Sequence, residues 1–171
     1  ISEVSQMGRG FWVVVVIGGV FSLARFSEAF LILRGSEAGL SVAYVPLILV
    51  AMNVAYAAVA APAGALSDRI GRVRLLGLSL VILIASDVVL GFFGNVIGLM
   101  AGAMLWGVHM GLSQGVLAAL VADTAREELR GTAFGVFNLV TGVGLLIASI
   151  FAGSLWNCFG AEATFLVGAG F

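Results

Sequence analysis

Long apolar runs dominate this sequence of 171 residues. Hydrophobic residues make up 61% of it and charged residues only 10%, whereas an ordinary soluble domain has about 25% charged residues. A helix of about 20 apolar residues, rising about 1.5 Å per residue, crosses a hydrocarbon core of about 30 Å. The sequence therefore predicts an all-α membrane protein with five complete spans and the start of a sixth. The predicted spans are residues 11–33, 42–66, 75–93, 96–121, 132–156 and 163–171.

The two ends of the sequence predict a piece of a longer protein. The last apolar run stops at Phe171, too early to complete a span, and the first residue is Ile1 rather than methionine. We therefore expect further helices outside this chain.

Arginine is the basic residue type of this chain, and its distribution predicts the orientation of the helices. Arg9, the arginines of residues 67–74 and those of residues 122–131 fall in alternate connections, whereas the other connections hold only Arg34. An excess of basic residues marks the cytoplasmic connections of membrane proteins. We therefore expect residues 1–10, 67–74 and 122–131 to lie in the cytoplasm.

Two predicted spans carry small residues at helical spacing. Such residues allow a neighbouring helix backbone to approach closely. In the fourth span, Trp106 and His109 fall about 180° from the small residues, at about 100° per residue, and belong to a more polar face. We expect both small-residue faces to be packing interfaces. They consist of Ala103, Gly107, Gly111, Gly115 and Ala119 in the fourth span, and of Gly131, Gly135, Asn138, Gly142, Ser149 and Gly153 in the fifth.

Ionisable residues within the predicted spans are candidates for a transport path. A charge at the centre of a spanning helix costs about 2.5 to 3.5 kcal/mol on insertion scales, so it faces a partner or a polar cavity. Arg25 and Glu28 are three residues apart, which places them on one face of a continuous helix. They form either a substrate or proton site in a cavity or an intrahelical ion pair that lets both charges tolerate the bilayer. Asp87 requires a partner on another helix or must stay protonated.

Polar side chains elsewhere in the spans extend this candidate path. His109 can titrate near neutral pH, and Asn53 and Asn138 can bond a substrate, although such amides more often bond helix to helix. The predicted substrate or proton path consists of Arg25, Glu28, Asn53, Trp106, His109 and Asn138.

No soluble catalytic motif occurs in the sequence. It has no glycine-rich phosphate loop and no HExxH, and Cys158 is its single cysteine. We therefore predict a protein that is not an enzyme and has no metal, no cofactor and no nucleic-acid partner.

The charged segment GALSDRIGRVR, residues 64–74, resembles the signature loop of the major facilitator superfamily, G-x-L-[AS]-D-R-x-G-R. In that superfamily the loop joins the second and third helices of each six-helix half, which is where the segment falls here. Residues 122–138 and 153–169 resemble later parts of the C-terminal half. The resemblance implies that residues 1–171 form the C-terminal half of a twelve-helix transporter. The residues that match the loop are Gly64, Leu66, Ser67, Asp68, Arg69, Gly71 and Arg72.

This resemblance also implies a mechanism in which two six-helix bundles alternately open a central cavity. By family analogy the first and fourth spans line that cavity, and they contain Arg25, Trp106 and His109. The signature segment would close the cytoplasmic side, whereas a purely topological role would require its arginines alone. The predicted cytoplasmic gate consists of Gly64, Asp68, Arg69, Gly71 and Arg72.

The expected function is secondary active transport of a small organic molecule across a cell inner membrane, coupled to protons and directed outward. An importer or uniporter of the same fold is the alternative within transport. The alternative from another class is a membrane module that transports nothing itself. The expected partners are the substrate, protons, the lipid bilayer, and either a missing N-terminal half or a second copy of the chain.

Overall fold

The computed structural model describes Val4 and residues 7–171, and within these residues the regular structure is entirely helical. Five segments of this described part are long and apolar enough to cross a membrane, one of them formed by the first two helices together. The predicted all-α class is confirmed. The helices are α1 (Arg9–Ala24), α2 (Ala29–Glu37), α3 (Pro46–Ile70), α4 (Arg72–Phe92), α5 (Val96–Thr124) and α6 (Arg130–Gly170), with a short 3-10 turn at Glu127–Leu129.

The first predicted span is broken between α1 and α2. Arg25 has an extended backbone with φ −120° and ψ 121°, and the next helix begins only at Ala29. The prediction that Arg25 and Glu28 share one face of a continuous helix is therefore wrong. Backbone groups freed inside an apolar bundle need partners, and the N–H of Ser27 finds one by donating to the Ser149 hydroxyl oxygen at 3.1 Å.

The α3–α4 connection is a single glycine. Gly71 has φ +88°, a backbone conformation that glycine adopts without steric cost. Because α3 continues to Ile70 and α4 begins at Arg72, both helices extend beyond the predicted spans 42–66 and 75–93 at this connection. Asp68 and Arg69 thus lie on the last turn of a helix rather than in a loop.

Another glycine separates the last two predicted spans. Gly160 has φ +83° inside α6, and helical structure continues on both sides of it. The predicted connection over residues 157–162 is therefore reduced to this one residue. Cys158, expected in that connection, lies on the helix and is exposed.

Close packing of α5 against α3 depends on two of the predicted small residues. A Cβ on Gly107 would overlap the carbonyl oxygen of Met52, and one on Gly111 would lie 2.9 Å from the carbonyl oxygen of Tyr56. The predicted packing face is confirmed at these two positions. Farther along the same face, Gly115 has nothing within 4 Å of its Cβ position among the described residues.

The opposite face of α5 is packed as well as polar. A Cβ on Gly102 would lie 2.5 Å from the Leu90 side chain of α4. Trp106 and His109, one and two turns farther along, are also buried. α5 is therefore enclosed by α3 on one side and α4 on the other.

Packing of α6 differs from the expectation. Gly131, Gly135 and Gly142 have nothing within 4 Å of their Cβ positions in the part of the chain that the structure describes, so no interface forms there. α6 instead contacts α1 through Gly144, whose Cβ would lie 3.4 Å from the carbonyl oxygen of Gly19. The predicted small-residue face lies away from that contact and is mostly exposed.

Arg34 links α2 to the end of α4. Its Nε donates to the Leu90 carbonyl oxygen at 3.1 Å and its Nη2 to that of Gly91 at 3.3 Å, while Nη1 pairs with Glu37 at 3.2 Å. The last carbonyls of a helix have no partner within the helix and carry partial negative charge, so a guanidinium stabilises them. This contact explains why Arg34 occurs in a region that the sequence predicted as a connection and that holds no other arginine.

The Arg34 contact predicts a measurable loss of stability. Replacing Arg34 by methionine removes hydrogen bonds from a charged donor and leaves the α4 carbonyls unpaired, so we expect the free energy of unfolding to fall by about 2 kcal/mol. Denaturant unfolding of the purified protein in detergent measures it. Arg126→Met is the matched control, because Arg126 is exposed and pairs with Glu128 at 3.6 Å. Equal losses in the two variants would refute the structural role of Arg34.

Candidate functional site

A polar cavity of about 290 Å³ lies between α1, α5 and α6. Charged, imidazole, hydroxyl and amide groups line it together with the phenyl rings of three phenylalanines. Polar groups placed among apolar and aromatic side chains are the usual lining of a site for a small molecule. Its polar lining includes Arg25, His109, Ser113, Gln114, Asn138 and Thr141.

Arg25 supplies the positive charge of this cavity. The end of α1 at Ala24 and the extended conformation of Arg25 bring the guanidinium to the cavity wall. Its side chain makes no ion pair within 4.0 Å among the described residues, so the predicted intrahelical pair with Glu28 is not formed. A half-buried guanidinium without a bound carboxylate can accept a hydrogen-bonding or anionic group of a ligand.

His109 is held in one orientation by α4. Its Nδ1 lies 2.8 Å from the Ser79 carbonyl oxygen, and its ring stacks at 6.3 Å from that of Phe21. Because a carbonyl oxygen only accepts, Nδ1 carries the hydrogen, and Nε2 is the acceptor whenever the ring is neutral. Nε2 is therefore the ring nitrogen of His109 that can exchange a proton or bind a ligand.

The hydroxyl groups of the cavity present acceptors. Ser22 donates to the Gly18 carbonyl oxygen at 2.9 Å, Ser113 to that of His109 at 2.8 Å and Thr141 to that of Phe137 at 2.9 Å. Each hydroxyl hydrogen is thus used within its own helix. The oxygen lone pairs remain for a ligand that donates hydrogen bonds.

The structure brings together three of the six predicted path residues. Arg25, His109 and Asn138 line the cavity. Trp106 is fully buried and packs on Phe26 with ring centroids 5.3 Å apart.

The other two predicted path residues also lie outside the cavity lining. Asn53 is exposed on α3 and donates to the Leu49 carbonyl oxygen at 2.8 Å. Glu28 is half-buried at the start of α2. Sequence reasoning missed Thr141, although its position three residues after Asn138 places it on the same helical face.

A second cleft, of about 240 Å³, contains part of the predicted gate. Gly64, Asp68 and Arg72 line it on one side and Gly111 and Gly115 of α5 on the other. We call it the signature cleft. Arg69, also predicted in the gate, borders a different cleft next to Pro62 and Leu112.

One ion pair joins the signature cleft to the end of α5. Arg72 Nη1 lies 2.5 Å from the carboxylate of Asp123, a residue that the sequence analysis did not name individually. Asp68 is exposed and has no hydrogen bond or ion pair within the described residues. The pair therefore fixes the start of α4 to α5 and leaves the Asp68 carboxylate free.

Comparison with known proteins decides the family. A model of the Major Facilitator Superfamily matches residues 10–171. The chain belongs to the major facilitator superfamily. An uncharacterized MFS-type transporter of Methanocaldococcus jannaschii is 34% identical over 161 residues, covering 91% of this chain and 40% of that protein. An uncharacterized protein of Mycobacterium tuberculosis is 30% identical over 129 residues, covering 75% of this chain and 30% of that protein.

A solved structure confirms the superfamily fold. The in meso crystal structure of the POT family transporter PepTSo matches this chain with a TM-score of 0.71 at 18% identity, covering 95% of this chain and 35% of that one. This major facilitator chain therefore spans well under half the length of the relatives it matches. Its family is one of multi-pass membrane transporters, which points to transport rather than catalysis.

Proposed function

We propose that the protein carries a small polar organic molecule across a cell inner membrane by alternating access, with the Arg25 cavity as its contribution to the substrate site. The observation that supports the proposal is the cavity itself, where Arg25 after the end of α1, His109 of α5 and Asn138 of α6 line one space. Polar groups inside a membrane bundle mark substrate and ion paths because they are costly to keep there.

Proton coupling and outward transport are the finer part of the proposal. His109 is a titratable group in the cavity lining, and its free nitrogen can gain a proton where Arg25 binds an anionic group. An anionic substrate and a proton would then favour each other's binding, whereas a cationic substrate and a proton would compete.

The signature cleft serves in this proposal as the cytoplasmic gate. With Arg72 held by Asp123, the free carboxylate of Asp68 is available to a helix N-terminus or an arginine of the other half of the transporter. Gly71 joins α3 to α4 with a positive φ, a backbone conformation that only glycine adopts easily. The partner would be a missing N-terminal half or a second copy related by a pseudo-two-fold axis along the membrane normal.

Flux measurements test this function. The protein, with any further part of its native chain, is reconstituted into proteoliposomes with an imposed pH gradient and offered a panel of small organic anions, zwitterions and cations. We expect uptake that depends on the gradient for at least one class of compound. Flux that ignores the gradient would favour a uniporter, and an absence of flux for every compound would favour a module that does not transport.

A further inference from the structure

We propose that Asp87 is a proton-binding group of the transport cycle, neutral in the conformation described here and ionised when α4 and the end of α6 move apart. This inference rests on the proposed transport function. Asp87 lies on α4, outside the Arg25 cavity, and its side chain is fully buried.

The Asp87 carboxyl has no partner. Neither of its oxygens has a hydrogen bond within the described residues, although both are inaccessible. A buried carboxylate without hydrogen bonds or a counter-charge costs several kcal/mol, on the order of 5, so the group holds a proton instead. A carboxyl kept only for structure is expected to bond to a neighbouring helix, and this one does not.

No charged neighbour changes this conclusion. Arg34 on α2 is bonded to the Leu90 and Gly91 carbonyls, and His109 on α5 is bonded to the Ser79 carbonyl. Glu162 on α6 is exposed, and Arg25 and Glu28 beside the α1–α2 break make no ion pair with Asp87 among the described residues. Asp68 and Arg69 on α3 and Asp123 on α5 make no ion pair with Asp87 either, so the ionisable groups on the elements packed against α4 leave the carboxyl uncompensated.

Close packing at Gly168 helps to exclude solvent from the Asp87 carboxyl. A Cβ on Gly168 would lie 3.0 Å from Asp87 Oδ2 and 3.0 Å from Phe26 Cε1. Phe26 and Gly168 also line an apolar cavity of about 350 Å³ between α1, the α1–α2 break and α6. Asp87 Oδ2 thus lies beside Gly168, a residue that borders this cavity, and is not itself part of the lining.

Proton exchange follows from a small movement between α4 and the end of α6. Asp87 lies five residues before Phe92, where α4 ends, so water that enters from that end of the bundle can reach the carboxyl when the two helices separate. The O–H bond then breaks and the proton passes to that water; the reverse step reloads the acid. Gly160, with φ +83°, is the point about which the end of α6 can turn. Because Arg25 is adjacent in sequence to Phe26, a displacement of Phe26 would also move Arg25 in the substrate cavity.

The surroundings favour a proton over a metal ion at Asp87. Hard cations take six or more oxygen ligands, whereas Phe26 and Gly168 offer no side-chain oxygen. The neighbouring Ser86 hydroxyl donates its hydrogen to the Gly102 carbonyl oxygen at 2.8 Å on the α5 side. No group of three or more potential metal-binding side chains occurs among the described residues.

Two measurements on the reconstituted protein test the proposal. Difference infrared spectroscopy should show a carboxylic-acid C=O band that Asp87→Asn loses and that Glu162→Gln, the exposed control, keeps. In proteoliposomes, Asp87→Asn should lose accumulation driven by the pH gradient but keep exchange of substrate down its own gradient. If Asp87→Asn does not fold, Asp87→Val carries the same comparison, since an apolar replacement of an unpaired buried acid is expected to be stable.

The outcomes separate this proposal from the proposed function. Full gradient-driven accumulation by Asp87→Asn, or a wild-type spectrum without the C=O band, would overturn the assignment of Asp87. Absence of all flux in the wild type would overturn the transport function, while the infrared band would still report whether Asp87 is protonated.

Discussion

Replacing Gly107 by alanine is expected to lower the free energy of unfolding by about 3 kcal/mol. The added methyl group would overlap the carbonyl oxygen of Met52 in α3, so the two helix backbones must separate along their contact. A backbone atom cannot rotate away as a side chain can. Unfolding of the purified variant in detergent, followed by circular dichroism, measures the loss.

Gly115→Ala is the control for this experiment. Gly115 lies two turns farther along the same face of α5, and its Cβ position has nothing within 4 Å among the described residues. Alanine also has the higher helix propensity, so we expect no loss of stability or a small gain. Similar losses at Gly107 and Gly115 would show that helix α5 is sensitive to any change and would contradict the packing account.

Replacing Arg25 by glutamine is expected to reduce the transport rate at least about tenfold, which corresponds to about 1.4 kcal/mol. The guanidinium carries the charge of the cavity and has no ion pair to lose within the described residues. Removing a half-buried, unpaired charge is not expected to reduce stability, because burial of that charge opposes folding. Initial rates in proteoliposomes and denaturant unfolding of the same preparation measure the two effects separately.

Arg126→Gln is the matched control, because Arg126 is an exposed arginine outside both the cavity and the signature segment. Its transport rate should equal that of the wild type. If Arg25 has a structural role, Arg25→Gln should lose stability and transport in parallel. Unchanged transport in Arg25→Gln would show that the cavity is not part of the substrate site.

Much of the fold could be predicted because its physical signals are local. The apolar runs identify the spans, and the four-residue spacing of Gly107 and Gly111 identifies the face of α5 that meets α3. The signature segment locates the α3–α4 connection. Its helical boundaries were less predictable, because Asp68 and Arg69 are polar and continue the helix nonetheless.

The break after Ala24 could not be read from an apolar run. Nothing in residues 11–33 is a strong helix breaker, and the interruption depends on Ser149 of a distant helix accepting the Ser27 N–H. The connection at Gly160 is much shorter than the sequence predicted. Polar residues before and after it suggested a longer connection, whereas one glycine with positive φ suffices.

The candidate site was predicted in part. Helical periodicity placed His109 on the polar face of α5, and the cost of charge in lipid singled out Arg25 and Asp87. Which of these groups share a cavity depends on tertiary contacts. Trp106 points into the aromatic core around Phe26 rather than into the cavity, and no spacing rule distinguishes these two outcomes.

Accessibility of the Arg25 cavity from both sides of the membrane tests the central claim most directly. Asn138 lines the cavity and is exposed in this chain, and Cys158 is the single native cysteine. Asn138→Cys in a Cys158→Ser background can be labelled with a membrane-impermeant maleimide, applied either to intact cells or to inside-out vesicles. Alternating access predicts labelling from both sides, slowed by substrate once one is known. Labelling from one side alone, or from neither, would contradict it.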